Sequence, residues 1–136
     1  MKTIVDTSVW SLAFRKRLLT DKEQTVVNKL IELMNSKELI IIGAVRQETL
    51  SGISDERRFE IIKNKLEPFP DFPVLTEDYI TAARFFNICR AHGVQGSHID
   101  FLISAVYDCV CGRMGGVLQR AIARGLSPLS MAAFPP

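Results

Sequence analysis

Three carboxylates in this sequence stand where side chains can meet at one edge of a sheet: Asp6, Glu48 and Asp100. Asp6 ends a short apolar run from Lys2 to Val5, and in an open α/β sheet ligands collect outside the carboxyl ends of the strands. Glu48 follows Gly43, which breaks a second apolar run, Leu39 to Ile42, so it can lean back over the same edge. Asp100 falls in the first turn of a late helix. Two carboxylates about 5 Å apart repel by roughly 3 kcal/mol at an effective dielectric near 20, so three converging acids need a counter-ion or shifted pKa values. A hard divalent cation, Mg²⁺ or Mn²⁺, meets that need. It takes oxygen ligands, orients a phosphate and acidifies an attacking water, so that a phosphodiester is hydrolysed without a protein nucleophile.

Each acid also has a purely structural role open to it. Asp6 can cap a helix, although Thr7 or Ser8 would serve equally well. Glu48 can be a solvated helix residue paired with Arg46 or a downstream lysine, and Asp100 can be the acidic half of a capping box with Ser97. Thr7 and Ser8 can position a phosphate or a water through hydroxyl and backbone N–H groups at a helix start, and capping is their simpler role.

The elements that must position these residues follow from periodicity. Lys2–Val5 reads as a strand and Asp6-Thr7-Ser8 as the opening of a helix through Trp10 to Phe14. Thr20 and Glu23 form a capping box ahead of Val26, Val27, Leu30, Ile31 and Met34, which share a helical face. Leu39–Ile42 is continuously apolar, as in a strand buried on both faces. A helix from about Ala44 to Ser51 stops at Gly52, and Ser54 caps another that Pro68 and Pro70 end, which together make a helical hairpin. Phe72–Leu75 reads as a weak strand, since Pro73 suits only a strand start or an edge. Thr76 caps a helix that ends at Gly93, and Ser97 with Asp100 opens the last clear one. Strand and helix signals alternate, which favours a parallel sheet covered on both faces.

Composition narrows the class. The 136 residues, 47% of them hydrophobic, suit one domain with one core. A net charge of +2 gives no general attraction for nucleic acid, so any such contact must come from a local patch. Three cysteines, an odd number, and no leading export segment fit a reducing cytoplasm. Cys109 and Cys111 lack a second Cys/His pair, so buried or incidental thiols are expected rather than a metal or redox site. No apolar run approaches the ~20 residues of a membrane span, so a soluble chain is expected.

The strings Val5-Asp6-Thr7-Ser8-Val9-Trp10, Val45-Arg46-Gln47-Glu48-Thr49-Leu50-Ser51-Gly52 and Gly96-Ser97-His98-Ile99-Asp100-Phe101-Leu102-Ile103 resemble, in order and spacing, the three leading motifs of the PIN-domain family. The likeness is to VapC-type toxin ribonucleases and covers about residues 1–106. It implies a three-layer α/β/α sandwich with a central parallel sheet and an endoribonuclease that uses Mg²⁺ or Mn²⁺. Asp6, Glu48 and Asp100 would be its catalytic and metal-binding residues. A VapB-like antitoxin partner and a homodimer are implied with it.

The C-terminal part departs from the pattern. The family usually carries a fourth acid in a Thr-x-Asp-like setting after the third motif, whereas Asp108 is the last acid here, about 12 Å along the same helix from Asp100. All 15 acidic residues lie in 1–108, and 109–136 holds three arginines, Arg113, Arg120 and Arg124, and no acid. Either the coding frame shifted near 107–112 or the ending is a genuine divergence, and a helix over Val117–Leu126 is the tail's one clear pattern. His92 and His98 lack the partners of a zinc site, and no G-x-S-x-G, Walker-type or G-x-G-x-x-G signature occurs. Trp10, Phe14, Phe85 and Phe86 fall in amphipathic segments and read as core. Two functions remain: a metal-dependent RNA endonuclease, and a PIN-like module that binds antitoxin or RNA without cutting.

Overall fold

Two short parallel strands organise the first half of the chain. In the computed structural model, which describes residues 3–111, Thr3 of β1 (Thr3–Ile4) pairs with Leu39 of β2 (Leu39–Ile40), and Ile4 with Ile40. Parallel strands need a long crossover. It is supplied by α1 (Thr7–Ala13) and α2 (Asp21–Ser36), after which α3 (Gly43–Leu50) and α4 (Glu56–Leu66) follow β2 as the expected hairpin. The residues Thr3–Phe72 form one compact unit, and the described residues from 73 to 111 belong to a second, built on α5 (Thr76–Ala91) packed against α6 (His98–Cys111). Among the described residues, this is a helix-rich α/β arrangement with a small parallel sheet.

Local chemistry sets the element ends. Thr20 and Glu23 make both halves of the capping box, Glu23 N–H donating to Thr20 Oγ1 at 3.3 Å and Thr20 N–H to Glu23 Oε2 at 2.9 Å. Gly52, at φ +82°, takes the left-handed turn after α3. At the end of α5, Gly93 has φ +73°, with Val94 N–H on Cys89 O at 2.8 Å and Gly93 N–H on Arg90 O at 3.1 Å, the two bonds of a Schellman motif. Two caps differ from expectation. Asp55 rather than Ser54 caps α4, its Oδ1 accepting from Arg58 N–H at 3.2 Å. Leu75, not Thr76, holds the cap position of α5 and has no acceptor, so only the return bond forms, Leu75 N–H to Asp78 Oδ2 at 2.8 Å.

The core of the first unit is Ile4, Trp10, Leu30, Ile40, Ile41, Ile42, Val45, Ile62 and Leu66. Of the strand expected over Leu39–Ile42, only Leu39–Ile40 forms β2 and Ile41 adds a single bridge; Ile40, Ile41 and Ile42 are buried as expected, whereas Leu39 is half-buried. The shared face of α2 is narrower than expected: Leu30 is buried, but Val26 and Ile31 are exposed. Phe14, Phe85 and Phe86 are half-buried, with Trp10 alone of the four fully inside. Residues 72–75 form no strand. The pairing stops at a parallel bridge between Ile41 and Asp71, with Phe72 N–H on Ile41 O at 2.8 Å, because Pro73 has no N–H to carry the ladder further.

Arg46 fastens this region. Its Nε donates to Asp71 Oδ1 at 2.8 Å, Nη1 to Leu66 O at 3.1 Å and Nη2 to Phe69 O, so one guanidinium ties α3 to the chain leaving α4. Arg46→Met leaves two carbonyls and a carboxylate without that donor and is expected to cost about 2–3 kcal/mol in urea unfolding, with Arg46→Lys recovering only part, because an ammonium lacks the planar fork.

Glu23 sets an acid-side dependence. The Arg17 guanidinium, then the Thr20 N–H, hold its carboxyl down from 4.5 to about 2. A depressed folded-state pKa stabilises above the unfolded value and loses that contribution as pH falls through the folded one. Stability measured from pH 5 to pH 2 should therefore fall less steeply in Glu23→Gln than in the parent.

Candidate functional site at the strand edge

Asp6 is the first residue past β1 with a chemical side chain, and it does cap a helix. It is buried, at 7% exposure, which obliges its carboxylate to find hydrogen bonds. Oδ2 accepts from Ser8 N–H at 3.0 Å and from the Ser8 hydroxyl, and these are the N-cap bonds of α1. The cap is thus Asp6 itself, not Thr7 or Ser8. All of its hydrogen bonds among the described residues fall on Oδ2, which leaves Oδ1 as an oxygen ligand in reserve.

Glu48 reaches the same place from α3. The buried Thr7 donates its hydroxyl to Glu48 Oε2 at 2.6 Å across 41 residues of sequence. Glu48 is otherwise exposed, and among the described residues it pairs with neither Arg46, which is occupied at Asp71, nor a lysine. Asp6, Thr7 and Glu48 are therefore brought together within the first unit. Ser8 serves the cap and Thr7 the link between helices, both through their hydroxyls.

Asp100 belongs to the second unit. It forms both halves of the expected box, Ser97 N–H donating to Asp100 Oδ2 at 2.6 Å and Asp100 N–H to Ser97 Oγ at 3.2 Å. A Cβ on Gly96 would stand 3.3 Å from that Oδ2 and 3.1 Å from the Phe101 ring, so the approach to the box is close. Asp108 lies on the same α6, buried. His98 stacks on Phe86, centroids 4.9 Å apart, and His92 Nδ1 meets Ile88 O at 2.8 Å, so neither is placed as a ligand in a cluster. Cys89 is buried, which raises its thiol pKa, and Cys109 is exposed. Among the described residues no three His, Cys, Asp or Glu side chains form a metal-holding group.

The donor chemistry of the first unit nevertheless fits a hard cation. Mg²⁺ is ordinarily held by one or two carboxylates plus waters and substrate phosphate, and Asp6 and Glu48 flank Thr7 with one carboxylate oxygen each outside the hydrogen bonds described.

The first unit thus sets Asp6 and Glu48 near the end of two parallel strands, where ligands collect in open α/β sheets. Residues 3–107 match the PIN domain family, and the chain belongs to it. PIN domains are generally nucleases that act on nucleic acid and generally use divalent metal ions. No curated protein and no solved structure gives a significant match. No helix among the described residues is long and apolar enough to cross a membrane. Residues 112–136, with the expected Val117–Leu126 helix and the three arginines, lie outside the described residues.

The double duty of Asp6 separates stability from chemistry. Asparagine caps as well as aspartate, so Asp6→Asn should unfold within about 0.5 kcal/mol of the parent, whereas Asp6→Ala should lose about 1 kcal/mol or more. Urea denaturation of the two variants checks this.

Proposed function

We propose that this chain is a metal-dependent endoribonuclease of the VapC type, the toxin of a type II toxin–antitoxin pair. The observation that carries the reading is the meeting of Asp6 and Glu48 at Thr7, on the sheet edge of a PIN family member. Asp6, Glu48 and Asp100 hold Mg²⁺ or Mn²⁺, directly or through water. The bound cation supplies charge neutralisation and a more acidic attacking water. Asp6 is held in place by its own cap bonds from the Ser8 N–H and hydroxyl, and Thr7 fixes one Glu48 oxygen. The chain folds as a single domain, a three-layer α/β/α sandwich, and works in the cytoplasm as a homodimer. A VapB-like antitoxin silences it by pairing an arginine-bearing segment with the carboxylates.

A second reading, a PIN-like module that binds RNA or antitoxin without cutting, is favoured by one observation: no acid follows Asp108. Asp108, about 12 Å along α6 from Asp100, cannot stand in for the family's fourth carboxylate.

Incubation of a mixed RNA pool with the protein and Mg²⁺ or Mn²⁺ separates the two. The nuclease reading expects cleavage that EDTA abolishes and that Asp6→Asn reduces by more than about 100-fold, the upper end of what losing an outer-shell partner costs. Intact RNA under every condition would establish the silent module instead.

A further inference from the structure

Beyond the acidic edge, the first unit contains a cavity of about 320 Å³ between α1, α4 and the turn after α3. Its position is set by the same two helices that carry the acids. Ser11 lines it one helical turn past Thr7, on the same face of α1, and Thr49, next to Glu48, lines it from α3.

Its chemistry is that of an anion site over an apolar floor. Phe14, Ile53 and Ile62 form the floor, and Ile62 is buried. Two cations face it, Lys16 and Arg58, against one acid, Asp55, whose Oδ1 is engaged by Arg58 N–H. Arg58 Nη2 donates to Phe14 O at 2.9 Å, which holds the guanidinium in place with further N–H groups to offer. The contrast along the segment after α1 is sharp. Arg15 and Arg17 are both paired with Glu23, whereas among the described residues Lys16 and Arg58 form no ion pair. The hydroxyls of Ser11 and Ser54 line the cavity and make no hydrogen bond among the described residues, so both remain as donors.

We propose that this cavity holds one phosphate and ribose of a single-stranded RNA, next to the segment lying over the acids. Lys16, Arg58 and the two serine hydroxyls take the phosphate oxygens, and the ribose lies on the apolar floor. This rests on the reading of the chain as an RNA nuclease, and it adds where the strand is gripped outside the reacting group. A chain of net charge +2 needs such a local grip, because acids placed over the scissile phosphate repel the polymer they must bind.

The test measures binding rather than cleavage. A fluorescein-labelled single-stranded RNA of about eight nucleotides is titrated in EDTA over a series of salt concentrations, against the parent, Lys16→Ala and Arg58→Gln. Each substitution should weaken binding several-fold and reduce the salt slope by about 0.7, the value for one phosphate contact on a single strand. Lys16 is exposed, so its variant keeps the test decisive if Arg58→Gln fails to fold. In the parent, the RNA should also slow acetylation of Lys16, read by mass spectrometry, with Lys29 and Lys63 unchanged. An unaltered slope with Lys16 unprotected, while the parent still binds or cuts RNA, overturns this site and leaves the nuclease reading standing. Protection of Lys16 by polyglutamate but not by RNA overturns it in favour of an acidic polypeptide. A parent that neither binds RNA in EDTA nor cuts it with Mg²⁺ overturns both.

Discussion

The parallel register of two very short strands is the constraint on which the site depends. Thr3 stands beside Leu39 and Ile4 beside Ile40, and the same register carried forward sets Asp6 beside Ile42. Those two residues are the N-caps of α1 and α3. Both helices therefore start at one level, off one edge of the sheet, and their first turns face each other. Thr7, in the first turn of α1, then meets Glu48 near the end of the second turn of α3, and the two helices pack. A shift of one residue would turn the side chains of β2 to the opposite face and set Asp6 beside Ile41 or Gly43, so that the two N-caps no longer stand level. Burial of Ile4, Ile40, Ile41 and Ile42 resists that shift.

With so little sheet, side chains carry constraints that longer strands would otherwise supply. The Asp6 carboxylate closes the first turn of α1, and the Thr20–Glu23 box opens α2. Ile42 offers no side-chain acceptor to α3, so that helix is held from its flank, by the Arg46 guanidinium on Leu66, Phe69 and Asp71 and by Glu48 on Thr7. The motif string around Glu48 thus contains two side chains of different use, a brace facing the chain after α4 and an acid facing α1. Two residues apart on a helix, they point about 200° apart around its axis, which is why Arg46 and Glu48 do not pair with each other.

What was legible in the sequence was local. Thr20 with Glu23, Ser97 with Asp100, and the glycines after α3 and α5 act within a turn of themselves, and the structure keeps all of them. The cap of α1 was ambiguous because Asp6, Thr7 and Ser8 are all good caps. The structure resolves it by pairing, since Thr7 turns to Glu48 and Ser8 donates to Asp6. Ser54 was expected to cap α4, and the carboxylate of Asp55 beside it took the cap instead. Arg46 was not legible. Its partners lie 20 to 25 residues away and no spacing rule connects them, although an arginine inside a motif next to buried Val45 was a signal that its charge would be used close to the core. The strand expected over 72–75 failed on the proline that had already marked it as weak. The family itself was legible from motif order, because order and spacing are retained in a sequence even where each motif is short.

A nuclease faces opposed electrostatic demands: acids where a cation must sit, and positive charge where a polyanion must lie. In a chain with 17 basic and 15 acidic residues the two cannot be met by net charge, only by which charges are left unpaired. Pairing decides this in the first unit. Glu23 takes up Arg15 and Arg17, Asp71 takes up Arg46, and Glu32 and Glu60 take up Lys29 and Lys63. Apart from Arg46, which also braces two backbone carbonyls, exposed pairs of this kind contribute little stability. Their effect is on the field. Among the described residues of this unit they leave Lys16 and Arg58, with Lys22, Lys37, Arg57 and Lys65, outside any ion pair, and of these Lys16 and Arg58 line the cavity beside the helices that carry Asp6 and Glu48. A surface salt bridge of small energetic weight can in this way determine where a polyanion is attracted, and that argues for reading the ion pairs of this fold by the cations they leave out.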